Sequence, residues 1–189
     1  MPDLADKSLR LRLREDTKTA HRALDVRVSG FDLQRPEGLA GFLAMQSGAL
    51  QYLLTLDPEP DCAAVMQDLL QRADDDLVTL GARRATLPEN ALTEAHPLAI
   101  DYVIGGSRLG TQVLKQRWAT STHPLVQTAD AYFGAPTHIA HWKAFCATAE
   151  AMPADSAEAD LIVIDARRLF VFYEVCAVAA RQVMRGFYA

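Results

Sequence analysis

Apolar residues recur every three to four positions along most of the chain, a spacing that predicts helices rather than strands. At 100° per residue a first helix spans residues 8–28 and ends near Ser29 and Gly30. A second begins at Pro36 in RPEGLAGFLAMQSGALQYLL, where proline suits the first helical turn. A third starts around Pro60 and carries Leu69, Leu70, Ala73, Leu77 and Leu80. After a connection over residues 85–97, a fourth places Ile100, Val103, Ile104, Leu109, Val113 and Leu114 at helical spacing. Thr137 is expected to cap a fifth helix, its hydroxyl accepting an orphan backbone N–H. Asp155 and Glu158 have capping-box spacing and are expected to open a sixth, running to about Arg185 before Gly186. LIVI and LFVFYEV invite a strand assignment, but Ala159, Val163, Ala166, Phe170 and Ala177 sustain the 3.6-residue period through them. The expectation is an all-α domain of about six helices.

Composition narrows this picture. The 189 residues, half of them hydrophobic, suit one domain over 1–189, with a flexible N-terminus over residues 1–7. A net charge of −5 and no basic stripe with interleaved aromatics argue against a nucleic-acid surface. No continuous run reaches 18 apolar residues, and LIVIDARRLFVFYEVCAVAA is interrupted by Asp165, Arg167, Arg168 and Glu174, so no membrane span is expected. MPDLADKSLRLRLREDTK lacks the apolar core of a signal peptide. Cys62, Cys146 and Cys176 are too widely spaced for a disulfide scaffold or a zinc motif and suit a reducing compartment. The cytoplasm is the expected location, and a monomer or weak dimer the expected state.

Two stretches carry candidate chemistry. In LRLRLREDTKTAHRALD, His21 shares a helix face with Leu13, Thr17, Leu24 and Val28 and so is expected to point inward. Arg14 lies seven residues earlier on nearly the same face, about 10 Å along the axis, with Arg10 extending the line. An inward imidazole with cations at that distance suits a flat cofactor with a central metal and carboxylates at its rim. The bland alternatives are a hydrogen-bonded core histidine and a solvated arginine face beside Glu15 and Asp16. In YVIGGSRLGTQVLKQRW, each glycine costs roughly 1 kcal/mol of helix propensity against alanine. Gly106 and Gly110 fall on one helix side with Leu114 a turn later, flanked by Gly105 and Ser107. Close packing of another helix, a helix that ends and restarts, and bare backbone against a flat ligand all remain open, with a kink expected at the glycines.

Together, LRLREDTKTAHRALD and, some eighty residues later, YVIGGSRLGTQVLKQR resemble the haem oxygenases, especially the short soluble bacterial ones. The resemblance covers the whole chain in length and helix order. It implies a compact helical domain holding haem b between a proximal N-terminal helix and a kinked, glycine-rich distal helix. His21, in the context of Thr17, Leu24 and Asp25, matches the proximal iron ligand, and Gly106 and Gly110 match the distal glycines that face the oxygen-binding side. Arg14 falls where a basic residue approaches a haem propionate, and Arg168, with Arg167 as the competing candidate, matches the second propionate-side basic region. Relatives often carry an acidic residue where this chain has Ser107, and E-G-S where it reads Gly105-Gly106-Ser107. The implied reaction consumes haem, O2 and electrons from an external reductant, a ferredoxin or flavoprotein, and yields biliverdin, carbon monoxide and ferrous iron. A photoreceptor pathway using biliverdin is an implied destination.

A haem carrier or sensor bound through His21 is the rival without catalysis, and histidine phosphotransfer would require His21 in solvent. The other histidines read as structural: His96 and His123 precede prolines, while His138 and His141 sit three apart without an accompanying metal motif and are expected on the surface or in packing. Asp74, Asp75 and Asp76 read as a solvated run, and Trp118, Trp142, Phe170, Phe172 and Tyr173 as core.

Overall fold

Ser8 opens the helical array by accepting the Leu11 N–H on its hydroxyl, satisfying one of the donors a helix start leaves orphaned. In the computed structural model, which describes residues 7–88 and 91–186, helix α1 (Leu9–Asp16) follows that cap and α2 (Lys18–Ser29) follows a turn at Thr17. The predicted first helix is therefore divided. The buried Thr17 hydroxyl donates to the Leu13 carbonyl at 2.7 Å, the back-bonding that bends helices. Arg14 and His21 consequently stand on different helices.

Proline at the first turn starts α3 (Pro36–Leu53), α4 (Pro60–Thr79), α5 (Pro97–Ala119) and the short α6 (Pro124–Thr128). A four-residue α7 (Ala131–Gly134), α8 (Ile139–Ala151) and the long α9 (Ala157–Arg185) complete the order. Helix α4 ends in a Schellman turn: Gly81 takes φ +66, and Ala82 N–H reaches back to the Leu77 carbonyl at 2.8 Å. Among the described residues the only β pairing is an isolated bridge between Ser8 and Pro153, so the all-α expectation holds with more, shorter segments than expected. Lys7, assigned to the flexible N-terminus, accepts the Ala154 N–H on its carbonyl at 3.0 Å; residues 1–6 lie outside the described residues.

Two expected caps are corrected. Helix α8 begins after His138, not at Thr137, because His138 adopts φ 51 with its ring nitrogen 3.1 Å from Asp68 Oδ2. Helix α9 is capped by Ser156, whose hydroxyl accepts the Ala159 N–H at 3.1 Å, one residue beyond Asp155. The aspartate run is also corrected, since Asp76 is buried and accepts the backbone N–H groups of Ala131 and Tyr132 at 3.0 and 2.9 Å. Burial pushes its carboxyl above the usual range against the pull of those two bonds.

Helix α3 is the apolar centre, packed chiefly on α9 and α4. It, rather than α9, is the helix long and apolar enough to match a bilayer span, and most of it is buried inside the fold. Helix α2 packs on α9 and buries none of its residues completely. Helix α5 packs on α9 and α8. That arrangement leaves α2 and α5 as walls of a cavity.

Candidate functional site

Helix α5 is fastened at its start by His96, whose N–H donates to Asp165 of α9 at 2.8 Å and whose Nδ1 accepts the Leu98 N–H. From there it runs unbroken through the glycines to Ala119, so the helix neither ends nor restarts at them. The three glycines divide the open alternatives between them. A Cβ on Gly105 would come within 2.9 Å of Trp142 Cε3, so this glycine serves the packing of α8. A Cβ on Gly106 would meet the same ring at an ordinary 3.6 Å, and one on Gly110 would meet nothing within 4 Å. Gly106 and Gly110 thus expose backbone to a cavity of about 620 Å³, a volume in the range of small-molecule sites.

Across that cavity stands α2, contributing His21, Leu24 and Val28 to the lining. Phe170 and Tyr173 of α9 and Phe42 of α3 make the base of the site apolar. His21 is not the buried residue its helix face predicted: its side chain is 56 % exposed. The reason is that this part of α2 borders the open cavity, with α9 packed on one side only. Its ring meets the Phe170 ring edge-on at 5.3 Å between centroids, and Nδ1 lies 3.2 Å from Asp25 Oδ2. That contact engages Nδ1 and leaves Nε2 as the ring nitrogen available to a ligand.

Ser107 lines the cavity but donates its hydroxyl hydrogen to the Ile104 carbonyl at 2.8 Å, which leaves it an acceptor toward the site. Tyr102, beside it on the same wall, has its hydroxyl 3.1 Å from Thr17 Oγ1. Burial raises the Tyr102 phenol, opposed by that bond and by the charge of Arg14. Arg14 itself is exposed on α1 and reaches this end of the site through its field rather than as part of the lining. Arg168 is exposed on the outer side of α9, paired with Asp165 at 3.2 Å and flanked by exposed Ile164 and Val171. Its turn of α9 presents Phe170 to the cavity instead. Arg167 donates to the Asp16 carbonyl at 2.9 Å. The basic residue that does line the cavity is Arg117, with Nη2 3.5 Å from the carbonyls of Ser29 and Phe31 at the far end of α2. Nothing in the sequence pattern separated Arg117 from the other exposed arginines, because the contact depends on where α2 ends.

A second group of side chains converges on the opposite side of α5. Cys62 of α4, Asp101 of α5 and His141 of α8 bring one ligand atom each within 4.8 Å of one another. They line a separate cavity of about 660 Å³. His141 is largely buried there, and Cys62 is a buried free cysteine. No protein family, curated protein or solved structure matches the chain.

Proposed function

We propose that the chain binds haem b in the cavity between α2 and α5 and degrades it with O2 and external electrons to biliverdin, carbon monoxide and ferrous iron. One observation carries this reading: His21 and the bare surface of Gly106 and Gly110 stand on different walls of the same largely apolar cavity of about 620 Å³. The haem supplies the iron and the redox chemistry, being both substrate and oxygen-activating group. What the chain supplies is orientation, water control and proton delivery.

Asp25, with Oδ2 3.2 Å from His21 Nδ1, would orient the ring so that Nε2 is the ligand nitrogen, an arrangement common behind metal-bound imidazoles. Neutral imidazole is a moderate donor, without the strong electron push of a thiolate that favours O–O cleavage. On the α5 wall the absence of a Cβ lets backbone approach the plane of a flat ligand closely. Ser107, with its hydrogen committed to Ile104, can hold a water as acceptor but cannot serve as a carboxylic acid. Protons therefore arrive through ordered water held by Ser107 and backbone groups. Arg117 lies in the lining as a partner for a propionate, with Arg14 beyond Tyr102 as a further basic group; Arg168, on the outer side of α9 and paired with Asp165, takes no part. A ferredoxin or flavoprotein in the cytoplasm is the proposed donor, and a biliverdin-using photoreceptor a proposed consumer.

Reconstitution with haem, followed by reductant-driven turnover in air and isomer analysis of the product, tests the reading. A Soret band lost or shifted in His21→Ala and conversion to a verdin are the expected results. A folded protein without haem affinity refutes the site. A stable haem complex that resists ring opening with several reductants refutes the catalysis and leaves a carrier or sensor.

A further inference from the structure

We propose that Cys62, Asp101 and His141 form a binding site for one divalent transition-metal ion of the zinc class, separate from the haem cavity and independent of the haem reading. The three residues arrive from three helices: Cys62 in the first turn of α4, Asp101 in the second turn of α5, and His141 in the first turn of α8. Thiolate, imidazole and carboxylate are the ligand types that zinc takes, and three protein ligands with one open position is a recurrent zinc arrangement. His141 Nε2 lies 3.8 Å from Asp101 Oδ1, and the three ligand atoms fall within 4.8 Å of one another. Tetrahedral zinc with bonds of about 2.0–2.3 Å requires ligand atoms about 3.3–3.6 Å apart, so rotamer adjustments of about 1 Å close the set.

The hydrogen bonding of the cluster points the same way. His141 Nε2 and Asp101 Oδ1 are both buried and both lack a hydrogen-bond partner in the protein, and the His141 side chain is 90 % buried by its 10 % exposure. Such groups are costly to bury without a partner. A cation between them would satisfy both at once. The fourth position faces the cavity of about 660 Å³, where water has access.

A cysteine–histidine nucleophile fits the same residues less well. The Cys62 thiol, with its proton, is fully buried at the start of α4 and offers no exposed sulfur for attack on a substrate. Metal binding removes that proton to solvent, and the thiolate and carboxylate together neutralise the divalent charge. No oxidant or reductant is needed. The two sites use successive residues of the same helices: Tyr102 and Trp142 turn to the haem cavity, Asp101 and His141 to this one.

The test uses the full chain, reduced and stripped with chelator, with Co2+ as a spectroscopic probe and Zn2+ as competitor. One equivalent of Co2+ should give a near-ultraviolet thiolate-to-cobalt band, displaced by one equivalent of Zn2+. Cys62→Ser should abolish the band. Asp101→Asn and His141→Gln should each weaken Zn2+ affinity by at least about 100-fold, beyond the roughly 10–100-fold expected from an outer-shell partner. His21→Ala should change none of this. Circular dichroism establishes that each variant is folded, and the band of the unaltered chain is decisive even if one variant is not. Absence of the band in the folded unaltered chain overturns the proposal, as does a band or an affinity retained in Cys62→Ser or His141→Gln.

Discussion

Replacing each distal glycine by alanine, one at a time, separates the two roles they play. In an exposed helix interior Gly→Ala stabilises by about 1 kcal/mol. At Gly110 the new methyl meets nothing within 4 Å, so the ligand-free chain should keep that whole gain. For a domain of this size it corresponds to a rise in Tm of about 2–4 °C. At Gly106 the nearest atom is Trp142 Cζ3 at 3.6 Å, and the outcome should be similar. At Gly105 the methyl falls 2.9 Å from Trp142 Cε3, an indole already stacked on Phe145 at 5.3 Å and unable to retreat freely. Overpacking of this kind costs about 1–3 kcal/mol. Gly105→Ala should therefore melt roughly 2–12 °C below Gly106→Ala, since both share the same propensity gain. With haem the order reverses for function, because only methyl groups at Gly106 and Gly110 enter the space assigned to the ligand. Thermal unfolding without haem, then haem titration and verdin yield, reads both effects. Gly110→Ala should be more stable than the parent yet form verdin more than about tenfold more slowly, a barrier change of about 1.4 kcal/mol. A loss of ligand-free stability in Gly110→Ala, or unchanged turnover, would refute the reasoning.

Four further outcomes follow from the same structure. Asp25→Ala should leave the ligand-free Tm almost unchanged and weaken haem iron ligation roughly 10–100-fold by removing the carboxylate beside His21 Nδ1, read from the Soret titration. Arg117→Ala should speed haem dissociation or shift the verdin isomer ratio, whereas Arg168→Ala, whose side chain lies on the outer side of α9, should do neither. Asp76→Ala strands two backbone N–H groups and should cost about 2–4 kcal/mol in chemical denaturation, while exposed Asp75→Ala stays within about 0.5 kcal/mol. Burial raises the Asp68 carboxyl, but the Arg72 hydrogen bond and charge, with His138, outweigh it and bring it below the usual range. Its stabilisation is therefore present above the unfolded value of about 3.9 and lost as pH falls through the lower folded value. The deficit of Asp68→Asn should be at most about 1 kcal/mol, given a carboxylate 33 % exposed, and should vanish in acid.

The helical class was legible because the apolar period is continuous, and the proline starts of α3, α4 and α5 could be read from single residues. Short helices α6 and α7 were not legible, since four or five residues do not establish a period. Thr17 looked like an ordinary helix position; only its bond to Leu13 shows why the first helix divides there. Facing direction was legible for His21 and the glycines, but depth was not. An amphipathic face says which way a residue points and nothing about whether a neighbour fills the space it points into. The place of Arg117 in the lining and the convergence of Cys62, Asp101 and His141 were not legible for a related reason, because their neighbours come from segments remote in sequence and a spacing rule sees one helix at a time.

Helix α2 buries none of its residues completely: Leu24 and Val28 pack against the edge of the core and line the cavity at the same time. Its seat on the fold is the seam with α9, where Arg27 pairs with Glu174 at 2.7 Å and His21 meets Phe170, so the width of the cavity and the packing of α9 are set by the same contacts.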